Sequence, residues 1–283
     1  MIACEKITLP NGLAVIAHRD AATPMAAVNV LYKVGARDES PDRTGFAHLF
    51  EHLMFGGSVN IPDYDGPVQM ACGENNAFTN NDYTDYYLTL PTVNLETALW
   101  LESDRMLGLA FNERSLEVQR KVVVEEFNQR YLNQPYGDLW LLMRPLCYTV
   151  HPYRWPTIGA TPDHIRNATM ADVKAFYDRY YNPDNAILSI ASDLDPQEAF
   201  ALAEKWFGAI PRGAAATGAI PAEPEQTEAR RLEVERDVPA TVIMIAFHTG
   251  ARTAGDFYAN DVVSDLLSNG NSSRLYQRLV KGV

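Results

Sequence analysis

Histidine is scarce in this chain, six in 283 residues, and there are only three cysteines. Cys4, Cys72 and Cys147 are odd in number and far apart, which argues against a disulfide framework and leaves the redox compartment open. Basic residues also run short, 24 Lys+Arg against 36 Asp+Glu, for a formal charge of −12. That balance argues against nucleic acid or an anionic membrane as the main partner and favours a cationic or neutral substrate. No apolar run is long enough to span a bilayer, and the N-terminus has no charged-then-apolar signal segment. A soluble chain is expected, in the cytoplasm or, in a bacterium, the periplasm; a signal removed ahead of Ile2 stays compatible with this. What the chain does have is 47% apolar residues over a length beyond the usual single domain, enough for a sizeable core.

Two of the six histidines fall in one stretch, Gly45-Phe46-Ala47-His48-Leu49-Phe50-Glu51-His52-Leu53-Met54-Phe55-Gly56-Gly57. It reads as a short helix with Thr44 as N-cap and Gly56-Gly57 as its stop. At i and i+4, His48 and His52 leave the same helical face one turn apart. Two neutral imidazoles so spaced can share a divalent ion, and zinc favours such nitrogen ligands. Glu51 projects beside them, where its carboxylate can take a proton from water. The order His-x-x-Glu-His is the inverse of the His-Glu-x-x-His zinc-protease signature. The other histidines, His18, His151, His164 and His248, lack a partner at ligand spacing and read as structural or surface groups.

Upstream, residues 5–9 and 13–18 form alternating runs around Pro10-Asn11-Gly12, a hairpin signal, and Met25–Val34 follows as a third, largely buried strand. Downstream, a short helical stretch near Pro67–Cys72 precedes two extended segments around an Asn80–Asp82 turn; the first, polar and small, suits an exposed edge. Apolar spacing predicts helices over 94–108 and 112–133. Glu125 and Glu126 lie in the second of these. The histidine pair needs a third, anionic ligand, because catalytic zinc usually has three protein ligands, and either glutamate can supply it from a neighbouring helix. Helical phase alone does not choose between them.

Further helices are expected over 138–147, after Thr161-Pro162, after Thr169 (a capping box closed by Asp172) and after Asp195, with a strand at Ala186–Ile190. Trp140, Trp155 and Trp206 read as core. Residues 209–229 are rich in Pro, Ala and Gly without periodicity and read as a linker. A strand is expected at 240–249. Gly250-Ala251-Arg252 after it repeats Gly35-Ala36-Arg37, and 257–267 aligns loosely with 44–54, which favours a duplicated domain. In the second copy Asp261, Ser264 and Asp265 stand where His48, Glu51 and His52 do, so it has no zinc set. The expected division is a zinc-binding domain over 1–212, a linker over 213–231, and the start of a second, truncated copy over 232–283.

With Leu9-Pro10-Asn11-Gly12-Leu13, the His48–His52 motif, Gly73-x-x-Asn76-Ala77-x-Thr79, the Glu125-Glu126 helix, His151-Pro152-Tyr153 and Ile158-Gly159, the chain resembles the pitrilysin-like zinc peptidases, which include insulysin and the mitochondrial processing peptidase. The resemblance implies an α+β fold of two similar halves, each a mostly antiparallel sheet packed with helices, closing like a clamshell. It implies one Zn2+ per chain held by His48, His52 and Glu126, with Glu51 as general base in an endopeptidase acting on peptides or small unfolded proteins. The peptide would add as a strand to the edge formed by Asn76, Ala77, Phe78 and Thr79. A homo- or heterodimer with a related subunit fits the family, as does a non-catalytic or weakly active role in a paired assembly. Two features depart from the family pattern: Gln119, near Glu117, stands where relatives often carry another glutamate, and the Arg and Tyr that the family's C-terminal half brings to the scissile bond fall outside this sequence. A rival reading comes from S-ribosylhomocysteine lyase, which shares His-x-x-Glu-His but needs a cysteine ligand, here Cys72 or Cys147.

Overall fold

The computed structural model describes residues 2–213 and 218–282. The chain separates into two compact units, Met1–Thr241 and Val242–Val283. The first is built on strands β1 (Glu5–Thr8), β2 (Ala14–Arg19), β3 (Met25–Tyr32), β4 (Glu74–Thr79), β5 (Thr84–Pro91) and β6 (Ala186–Ser192). Its helices are α1 (Phe46–Leu53), α2 (Asp65–Met70), α3 (Leu95–Leu107), α4 (Glu113–Phe127), α5 (Leu139–Cys147), α6 (Pro162–Arg166), α7 (Met170–Tyr180) and α8 (Pro196–Phe207). The fold class is α+β.

The strands lie in the order β1-β2-β6-β3-β5-β4. All neighbours are antiparallel except β2 and β6, which run parallel from Ala14↔Ile187 to Arg19↔Ser192. The β1–β2 hairpin turns where Asn-Gly demands it. Gly12 takes φ +95 and Asn11 Nδ2 donates to Phe207 and Ile210 carbonyls, so the turn is also tied to the end of α8. Burial alternates along β3: Ala26, Val28, Val30 and Tyr32 are buried while Met25 is 40% exposed. This strand is therefore fully covered on one face and only partly on the other, less than its apolar run suggests. Buried apolar positions of β2, β5 and β6 share that face, and α1, α3 and α8 pack on the sheet. Each fully buried Val or Leu there contributes about 1.5–3 kcal/mol.

Several helix starts follow local sequence rules. Thr169 and Asp172 form a reciprocal capping box on α7, Asp195 and Glu198 do so on α8, and Thr161 caps α6. Thr44 does not cap α1: the N-cap is one residue later at Gly45, with φ +88, and the Thr44 hydroxyl bonds His164 Nδ1 at 2.8 Å and accepts the Ala160 N–H at 2.7 Å. The expected 112–133 helix is α-helical only to Phe127 and continues over Asn128–Leu132 as a π-helical turn. Trp155 is buried and donates to Ala36 O, and Trp206 is half-buried, but Trp140 is 55% exposed. It lies on α5, where no residue is fully buried.

The second unit holds α9 (Phe257–Ser268) and α10 (Arg274–Leu279), which contact each other. The strand expected at 240–249 does not form. Within this unit the described residues provide no second strand for it to pair with, and an isolated extended run leaves its backbone groups to water. Ile243, Ile245 and Phe247 are accordingly exposed.

Candidate metal centre

α1 lies beside the edge strand β4 and its neighbour β5, and α4 packs against it. Its apolar residues Phe46, Ala47, Leu49, Phe50 and Leu53 are buried, which turns His48 and His52 toward α4. The two imidazole centroids are 4.9 Å apart with their planes at 86°. From α4, Glu126 Oε2 comes within 3.7 Å of His48 Nε2 and 3.5 Å of His52 Nε2. One donor atom from each of the three residues lies within 4.8 Å of the other two, and this is the single such group of three found among the described residues. Zinc bonds of 2.0–2.1 Å at tetrahedral angles put neighbouring donors about 3.4 Å apart. The two His–Glu separations lie close to that spacing and exceed a good hydrogen bond. The donor set fits a zinc ion.

The electrostatics agree with the geometry. Burial disfavours the charged form of His48 and lowers its pKa, against the opposing pull of Glu126, so the neutral imidazole that can ligate a metal is the favoured state. His48 Nδ1 is buried without a hydrogen-bond partner. The His52 imidazole, followed by His48 and Arg130, holds the Glu126 carboxyl below the usual range despite partial burial. Arg130 Nη1 takes the other Glu126 oxygen at 3.0 Å.

Glu125 points elsewhere. It is exposed and accepts from Gln129 Nε2 at 3.1 Å. Glu51 is half-buried on α1, and its charge raises the proton affinity of His48. Glu117 is engaged on the surface with Arg120 and Lys121, and Gln119 is half-buried. Cys72 is exposed and Cys147 half-buried, and neither belongs to the three-residue group.

Asn76, Ala77, Phe78 and Thr79 all lie on β4, which is the last strand of the sheet and has one edge unpaired. Asn76 and Phe78 are exposed, while Ala77 packs against the core. Asn76 Oδ1 accepts the Ala77 N–H at 2.8 Å, so a side chain occupies a donor of this strand. The β4–β5 turn is fixed by Arg37 and Tyr153. Arg37 N donates to Asn81 O, and Arg37 Nη1 and the Tyr153 hydroxyl both reach Asp82 Oδ1, at 2.8 and 2.6 Å. Local pattern does not reveal this support, nor that of Glu39, whose oxygens accept the Gly45 and Ala47 N–H groups at 2.8 Å each. The signal for both lies in isolated charged residues in turns, which sequence spacing does not connect to a distant element.

Comparison with known proteins bears on this site directly. The family model described as insulinase (peptidase family M16) matches residues 14–136, and that of the peptidase M16 inactive domain matches 167–282. A protease from Helicobacter pylori of known crystal structure superposes with a TM-score of 0.86 at 34% identity, over 99% of this chain and 68% of that one. The chain belongs to the M16, pitrilysin-like peptidase family. Its curated relatives include a zinc protease of Helicobacter pylori, PqqE, 36% identical over 98% of this chain, and an uncharacterized zinc protease of Mycobacterium leprae, 30% identical over 97%. The chain spans 63% and 62% of their respective lengths. The crystal structure of pitrilysin shares the fold, with a TM-score of 0.69 at 21% identity over 78% of this chain and 24% of that one. No helix among the described residues is long and apolar enough to cross a membrane.

Proposed function

We propose that the chain carries the metal centre of a zinc-dependent endopeptidase, with His48, His52 and Glu126 as ligands and Glu51 as general base. The observation that carries this reading is the convergence of three donors, from two helices, at zinc-like separations. These residues fall within the span matched by the insulinase model, not the span matched by the inactive domain, which favours a catalytic role over that of a non-catalytic subunit. A zinc ion held there supplies Lewis acidity to a water and a peptide carbonyl. Glu51 accepts the water proton as the oxygen adds to the carbonyl carbon, then delivers it to the amine nitrogen as the C–N bond breaks.

The substrate in this reading is an extended peptide or small unfolded protein that pairs with the open edge of β4 at Asn76–Thr79, displacing the Asn76 side chain from the Ala77 N–H. Residues 1–212 form the zinc-binding domain, 213–231 the linker, and 232–283 belong to a related copy without zinc ligands. A related subunit or half closes over the peptide. The test is zinc content and cleavage of an unstructured-peptide library. Glu51→Gln is expected to keep the metal and lose cleavage by several orders of magnitude, and His48→Ala to lose the metal itself. Undiminished cleavage in Glu51→Gln refutes the assigned base; full zinc in His48→Ala refutes the ligand set.

A further inference from the structure

α1 starts without a cap of its own. Gly45 has no side chain to accept a hydrogen bond, and the Thr44 hydroxyl is committed to His164 and Ala160. The donors that a helix N-terminus leaves unpaired are met instead from six and eight residues upstream, where Glu39 Oε2 accepts the Gly45 N–H and Oε1 the Ala47 N–H. Glu39 is only 8% exposed. A single acceptor fixes a helix end at one point and leaves it free to rotate. Two oxygens of one rigid carboxyl, bonded to amides two residues apart, fix rotation about the helix axis as well.

That rotation decides where the metal donors aim. Ala47 immediately precedes His48, and His52 follows one turn later on the same face. A modest turn of an eight-residue helix would sweep both Nε2 atoms away from Glu126 Oε2, which lies 3.7 and 3.5 Å from them. Close packing sets the same helix end from another side: a Cβ on Gly45 would lie 2.6 Å from Ile158 O. We infer that Glu39 is a positioning residue of the metal centre, holding the phase of α1 so that His48 and His52 face Glu126. This inference rests on the metal-site reading above, but the hold on the helix is measurable without metal.

The test compares Glu39→Gln with Leu90→Ala, a cavity in buried β5 that weakens the unit at a distance from α1. Glutamine replaces one of the two accepting oxygens with an NH2 group, which cannot accept, so one of the two amides loses its bond. In metal-free protein, amide exchange over Gly45–Leu53 is expected to quicken about tenfold or more in Glu39→Gln while β3 and β5 keep their protection. Zinc affinity, read by competition with a chelating dye, is expected to fall about 10- to 100-fold. Leu90→Ala should quicken exchange across the sheet and leave the affinity of the folded fraction unchanged. Should Glu39→Gln fail to fold, Glu39→Asp, one methylene shorter, is read the same way. Unchanged α1 exchange, or unchanged zinc affinity in a protein whose wild type binds zinc, overturns the role of Glu39 alone. A wild type that takes up no zinc overturns the metal reading, and Glu39 is then a helix cap and nothing more.

Discussion

Arg105 is the largest of the side chains that are almost wholly buried, 2% exposed, and it sits over the rings of Tyr86 and Tyr64 with its guanidinium carbon 4.4 and 4.6 Å from their centroids. Glu102, 1% exposed, takes two of its donors at 2.8 and 2.6 Å and also accepts the Tyr64 hydroxyl. A buried pair of this kind is worth little against a well-packed apolar substitute, but removing one partner strands the other charge. Arg105→Ala should therefore lower unfolding free energy by about 3–5 kcal/mol, measured by urea denaturation. At the proposed metal centre the residue-scale prediction separates two neighbours. Glu126→Ala should reduce zinc content to background, while Glu125→Ala, whose side chain bonds Gln129, should retain wild-type content by elemental analysis. Helical phase alone left these two glutamates equivalent, because it is known only to within the error of the helix boundaries, while the family resemblance implied Glu126. Packing of α4 on α1 breaks the tie.

At the scale of elements, the local signals read well. The capping boxes of α7 and α8, the Asn-Gly hairpin and the alternation along β5 and β6 are each set by residues within four positions of one another. The start of α1 departs from the Thr44 cap expected because Glu39 meets its amides and its N-cap is Gly45, a left-handed glycine held against Ile158 and Gly159. Gly45→Ala should destabilise the unit by about 1–3 kcal/mol on backbone strain alone, seen as a lowered thermal midpoint. The segment after residue 218 gives a second case. Glu223 takes the N–H groups of Thr149, Val150 and His151 and the Thr149 hydroxyl. Against a desolvation penalty, the His151, Thr149 and Val150 amides bring its carboxyl down to about 2. A lowered pKa means this tether is fully present above the ordinary carboxylate range and is lost as pH falls toward 2. Proteolytic nicking around Glu223 should thus increase on acidification, and Glu223→Gln should show the same nicking at neutral pH.

At the scale of the whole chain, Glu39 works in the opposite sense. Burial pushes its carboxyl up to about 8, against the Ala47 and Gly45 amides. Its contribution to folding is complete below the ordinary carboxylate pKa and declines as pH rises toward 8. Stability measured by denaturant from pH 5 to pH 8 should fall in the wild type and be flatter in Glu39→Gln. The family and the α+β class were legible because the zinc motif and the period-2 strands are local patterns. The strand expected at 240–249 was not, because a strand exists only with a neighbour.

The strand order carries one more consequence. β6, the last strand in sequence, is the third in the sheet and is sandwiched between β2 and β3. A nascent chain that has emerged only as far as α7 holds a β1–β2 ribbon and a β3–β5–β4 ribbon with no backbone bridge between them. The sheet closes when residue 186 and its followers arrive to zip both ribbons, a non-local event of the sort that slows folding. Ribosome-bound intermediates of this protein should expose two sticky strand flanks at once, and ribosome-associated holdases are expected to engage them until Ser192 clears the tunnel.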